Sequence, residues 1–208
     1  MFFAALSFTV MIAHEMTHHL TARAVCGAWG EMALSTFALA PGCDEAGRPW
    51  WLATMAGPLL TYALIWIGAL WRSQTGLVLL FANLPMGRAM NVIMGGGDEL
   101  IVGRALFGPA WAWPAMALIV ALLLGPPLAL AWVRLPQTRR WLWFAGLLLL
   151  PLLWDVVSKR ILALAVADTP MAAGVPIGIL MAAGAGLALT VVAWPRTPAA
   201  SSAKLLRG

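Results

Sequence analysis

Charge is what this chain lacks most. Lys and Arg number 13 and Asp and Glu 8 in 208 residues, so charged side chains make up 10% of it, where soluble domains carry roughly 25%. With 62% hydrophobic residues and a mean hydropathy of +0.87, the chain is excluded from the soluble globular class and reads as a multi-pass integral membrane protein. Cysteine is scarce too. Cys26 and Cys43 are too few for a disulfide scaffold, and both fall in the first loop, where one bridge or two free thiols are open. Histidine is limited to three residues, all between His14 and His19, so no second histidine cluster exists. The N-terminal apolar segment has no basic n-region, which argues for a permanent span over a cleaved signal peptide.

The net charge of +5 would suggest nucleic acid in a soluble protein. Here the basic residues gather at span ends, where anchoring and topology explain them, and the partner they imply is the lipid bilayer. A span needs about 20 mainly apolar residues, and about six segments qualify: Phe2 to Arg23, Trp50 to Trp71, Leu77 to Phe107, Trp111 to Val133, Trp141 to about Ala167, and Met171 to Trp194. The expected fold is an all-α polytopic membrane protein. Residues 1–107 form a three-span core, 108–194 add three helices, and the tail 195–208 reads as disordered from its composition. Within the first loop, Glu31 to Ala40 fits a short strand or small β-hairpin.

The third segment is not a plain lipid-facing helix. It holds Asn83, Pro85, Arg88, Asn91, Gly95-Gly96-Gly97, Asp98 and Glu99, and broken backbone at membrane depth is tolerated only against protein or a watery cavity. A broken span lining a polar cavity is the expectation.

The chemistry concentrates on His14-Glu15-Met16-Thr17-His18-His19. H-E-x-x-H puts two imidazoles at i and i+4 on one helix face, a half-site for Zn²⁺, with Glu15 beside it as a general base. By composition alone the match arises by chance on the order of one time in a thousand. The bland alternative is a polar helix end at the interface. Two histidines do not complete a catalytic zinc site, which usually takes three protein ligands and a water. His19 points about 100° away from His18 around the helix. The third ligand must then be a carboxylate: Asp98, after the glycine run, with Glu99 as the alternative. Asp98 as a helix N-cap for residues 99–107 competes with the ligand reading. Elsewhere, Asp155 and Lys159 stand at i, i+4 and are expected to pair, and Arg88 either balances charge at the site or snorkels.

These residues together resemble the site-2 protease class of intramembrane zinc metalloproteases. The likeness covers residues 2–107: His14-Glu15-x-x-His18 on one span, Ala56-Gly57-Pro58 on the next, then Asn83-Leu84-Pro85 and Gly97-Asp98. It implies zinc held by His14, His18 and Asp98, Glu15 as general base, Asn83 assisting the scissile carbonyl, and a transmembrane protein as substrate. It would also make Glu31–Ala40 the edge onto which an extended substrate adds. The chain departs from the pattern in three places. Glu99 follows Asp98 where the class commonly has glycine, the Asn83-to-Asp98 spacing is long enough that Asn91 competes for the asparagine role, and Thr61 stands where an asparagine often follows A-G-P. The rival from another class is a non-catalytic metal-binding membrane protein, such as a transporter, a sensor or a pseudo-protease. Orientation is in conflict: alternating loops place Arg72, Arg134, Arg139, Arg140, Arg196, Lys204 and Arg207 on the N-terminal side against Arg23, Arg48 and Arg104, joined by Lys159 and Arg160 if these count, on the other, a modest bias toward a cytoplasmic N-terminus, whereas the resemblance implies a zinc-proximal end near the cytoplasm.

Overall fold

A computed structural model describes residues 1–34, 36–45, 47–166 and 171–195. In chain order it contains α1 (Phe2–Cys26), α2 (Trp51–Leu70), α3 (Gln74–Ala82), α4 (Pro85–Ile93), α5 (Gly97–Arg134), α6 (Arg140–Val166), β1 (Met171–Ala172), β2 (Val175–Pro176) and α7 (Ile177–Val192). The tail read as disordered lies, from residue 196 onward, outside the described residues.

The chain is mostly helical, and four stretches are long and apolar enough to cross a membrane: Trp51–Leu70, Gln74–Ile93 taken across its break, Gly97–Arg134 and Arg140–Leu162. Six were expected. The first and sixth differ for separate reasons. α1 has 25 residues, but its polar His14–His19 end dilutes its hydropathy, and α7 has only 16 residues, short of the roughly 20 a span needs.

The break in the third segment falls at Asn83-Leu84-Pro85. Pro85 occupies the first turn of α4, where its missing N–H costs nothing. Leu84 before it adopts the left-handed region at φ 54°, a conformation that costs a non-glycine residue about 1–3 kcal/mol. The expected continuation of this span to Phe107 is corrected: the chain turns at residues 94–96, and 97–107 belong to α5. α5 is itself folded back. Gly108, at φ 74° and ψ 165°, interrupts it and is followed by Pro109. Gly103 therefore packs on Ala112 and Met116, near enough that a Cβ there would lie 2.6 Å from Met116 Cγ. A straight helix would hold those residues about 13 Å and 20 Å away along its axis.

The main apolar core lies among α2, α3, α5 and α6, with Tyr62, Ile65, Leu80, Phe81, Val120 and Leu124 buried in it. Leu118, Leu122, Leu149, Leu150 and Ile161 point outward, as suits a surface solvated by acyl chains.

The first loop resolves its open alternatives. Cys26 and Cys43 form a disulfide with Cα atoms 5.3 Å apart. The hairpin expected over 31–40 reduces to one antiparallel bridge, Met32 with Phe37, supported by Ala38 N–H donating to Glu31 O at 2.7 Å. The regular sheet lies elsewhere: β1 and β2 pair antiparallel, Met171 opposite Pro176 and Ala172 opposite Val175. Met32 N–H donates to Gly174 O at 2.8 Å, joining the two small β elements.

Candidate metal centre

His14 and His18 lie one turn apart on the buried face of α1, against α2. Their Nε2 atoms are 3.1 Å apart. Asp98, at the start of α5, brings Oδ2 to 3.5 Å from His14 Nε2 and 3.4 Å from His18 Nε2. Three ligand atoms thus form a nearly equilateral triangle. Zn–N and Zn–O bonds of about 2.1 Å in a tetrahedron require ligand-to-ligand edges of about 3.4 Å. The observed edges match that figure, so the three side chains could hold a metal ion, and they are the one such group among the described residues. Asp98 is not the helix cap: that place is taken by Gly96, with no side-chain cap bond.

The outer atoms of both imidazoles are fixed. His18 Nδ1 is 2.8 Å from Ala53 O. A carbonyl only accepts, so Nδ1 carries the proton and Nε2 presents its lone pair to the centre. His14 Nδ1 lies 2.8 Å from Thr61 Oγ1, and Phe37 stacks on the His18 ring at 4.4 Å. Gly57 supplies the space. A Cβ there would collide with His18 Nε2 and come within 2.8 Å of His14 Cε1, so any side chain at 57 displaces the imidazoles. The Ala56-Gly57-Pro58 element thereby acquires a local physical reason.

Glu15 is buried and lines two cavities. One, of about 40 Å³, is shared with His14, Thr61, Asn83 and Arg88; a water needs roughly 10–15 Å³ measured this way, so one or a few fit. The other is a cleft of about 540 Å³ shared with Phe37, Asn91, Asp98 and Lys159. No hydrogen bond joins the Glu15 side chain to another described residue, and the residue lines both cavities.

The two candidate asparagines separate. Asn83 is buried beside the small cavity, with Nδ2 donating to Leu79 O at 2.7 Å. Asn91 lines the larger cleft. Glu99, the alternative ligand, turns away from the imidazoles: it accepts from Tyr62 Oη at 2.9 Å and faces Arg88 Nη1 at 3.4 Å. Arg88 also reaches Asp98 Oδ2 at 3.4 Å, which settles it as a charge-balancing residue between the two acids. His19 points away, with Nε2 2.8 Å from Ala173 O and its ring stacked on Trp29.

Sequence reasoning missed three contributors. Ala53 acts through its backbone, which no side-chain pattern reveals. Thr61 stood out only as a departure, although its place four residues after Gly57 puts it on the same helix face. Lys159 lines both cavities while pairing with Asp155 at 2.9 Å. No family model matches the chain, and neither does any curated protein or any solved structure.

Proposed function

We propose that this protein is an intramembrane zinc metallopeptidase that hydrolyses peptide bonds of membrane-embedded or membrane-proximal proteins, as the resemblance to the site-2 protease class implies. The observation that carries the reading is the His14–His18–Asp98 triangle with unengaged Glu15 opening on a water-sized cavity next to it. His14, His18 and Asp98 would hold the ion. A bound zinc supplies Lewis acidity to a carbonyl oxygen and acidifies a coordinated water. Glu15 takes the proton of the attacking water and returns it to the leaving amine. Asn83, which lines the small cavity with Glu15, is the residue proposed to steady the scissile carbonyl. The fixed Nδ1 atoms of His14 and His18 keep the imidazoles from turning as charge develops. A substrate helix must unwind before it can react, because its carbonyls are engaged in the helix's own hydrogen bonds. The cleft of about 540 Å³ beside Phe37 and Leu39 offers an extended segment a place.

Transport is the weaker reading. A conduction path would string further ligands along other helices, and among the described residues no second group of three forms. The test is cleavage of a co-expressed, doubly tagged single-span membrane protein by wild type and by Glu15→Gln. A fragment with wild type that vanishes in the variant, at equal protein and zinc levels, is the expected result. A fragment that persists in Glu15→Gln overturns the mechanism.

A further inference from the structure

The two ends of the helical bundle are chemically unlike. At the end that holds the start of α1, Phe2 packs on Trp194 at 5.3 Å and Trp194 stacks with Trp71 at 6.3 Å. Arg134 joins the same end, donating to Ala69 O at 3.0 Å, Trp71 O at 2.9 Å and Ser73 O at 2.6 Å. Arg72, Arg134, Arg139 and Arg140 therefore collect at this end, with no acidic residue in the turn 71–73 or the loop 135–139. These contacts group the loops directly, without assuming that the spans alternate.

The opposite end carries the metal centre and the first loop. There the basic residues are Arg23, Arg48 and Arg104, with Arg160 toward the far end of α6, and the first loop is closed by Cys26–Cys43. Short loops rich in Arg stay in the cytoplasm, and structural disulfides are rare in that compartment. The two observations are independent: one concerns the arginine-rich end, the other the metal-bearing end. They name the same orientation.

We infer that the metal centre and its cleft open toward the oxidising, non-cytoplasmic side of the membrane, with the N-terminus in the cytoplasm. The disulfide then forms by exchange with a protein disulfide of that compartment. The two thiols give up two protons and two electrons, and the exchange partner is left as a dithiol. The orientation itself is independent of the peptidase reading. Resting on that reading, it defines the substrate class: the segments cut are those at or beyond the non-cytoplasmic membrane face. It also departs from the orientation that the site-2 protease resemblance implies.

The test uses the full-length protein in the inner membrane of a Gram-negative bacterial host. Cys26 and Cys43 are the only cysteines, so polymer-maleimide labelling of denatured wild type should add nothing before reduction and two polymer units after it. In a Cys26→Ser/Cys43→Ser background, two exposed positions report the faces, Asp44→Cys in the first loop and Gln137→Cys in the arginine-rich loop. A membrane-impermeant maleimide should label Asp44→Cys in cells with a permeabilised outer membrane, and Gln137→Cys only after lysis. Substituting Ala for both cysteines instead of Ser gives a second background if the first accumulates poorly. The reverse labelling pattern overturns the inference, as do two free thiols in the wild-type protein. Neither readout depends on bound metal or on cleavage, so failure here is distinct from failure of the peptidase reading.

Discussion

Two polar pairs stand at i, i+4 on apolar helices of this protein: His14 with His18 on α1, and Asp155 with Lys159 on α6. Their spacing is the same and their states differ. Asp155 and Lys159 form an ion pair across 2.9 Å, in which opposite charges neutralise each other. His14 and His18 bring two like ring nitrogens within 3.1 Å of each other, both facing Asp98 Oδ2, an arrangement with no opposite charge among its own two members. They are completed from outside, by Asp98 far along the chain, by Thr61 and Ala53 behind them, and by the space that Gly57 leaves. An isolated pair that neutralises itself asks for no partner. A pair of imidazole nitrogens converging on one point, held by two other helices, asks for a cation.

That contrast can be broken by substitution. The largest effect belongs to the histidines: His18→Ala should remove bound zinc from the purified protein, whereas Asp155→Asn should leave zinc content unchanged. Equal zinc loss in both, read by elemental mass spectrometry, would erase the distinction. Next comes Glu15→Gln, which should keep its zinc and lower cleavage about 10²–10⁴-fold, the span of a lost general base. Gly57→Ala and Thr61→Val act on the support of the imidazoles. Each should weaken zinc affinity about 10–100-fold, as outer-shell changes do, in a competition with a chelating dye; wild-type affinity in both would show that the imidazoles need no such support. The smallest effect is that of Tyr62→Phe, which removes the hydroxyl donor to Glu99. A cost of about 1–3 kcal/mol in stability is expected for the buried acceptor left short, seen as a lower Tm with zinc content intact.

Much of the centre was legible in the sequence because its elements are local. H-E-x-x-H is a helix-face pattern, the glycine run before Asp98 marks a turn, and Asn83-Leu84-Pro85 breaks a helix by the geometry of proline alone. The Asp155–Lys159 pair was legible for the same reason. What escaped depends on long-range folding. Gly108-Pro109 is a reversal inside one 38-residue helix, and hydropathy reads straight through it, so 97–107 were assigned to the wrong span. Arg88 could be given its role only after Asp98 and Glu99 were placed beside it. The β1–β2 sheet spans only six residues, too short for an alternating pattern. The pairing of Cys26 with Cys43 was open because spacing alone does not decide it.

The central claim is that α1 and α5 meet to build one metal site, and zinc stoichiometry tests it most directly. Elemental analysis of purified full-length wild type and Asp98→Ala, side by side, is the measurement. The account predicts one zinc per chain in the wild type and none in Asp98→Ala. A wild-type protein without zinc, or an Asp98→Ala variant that retains a full equivalent, would contradict it.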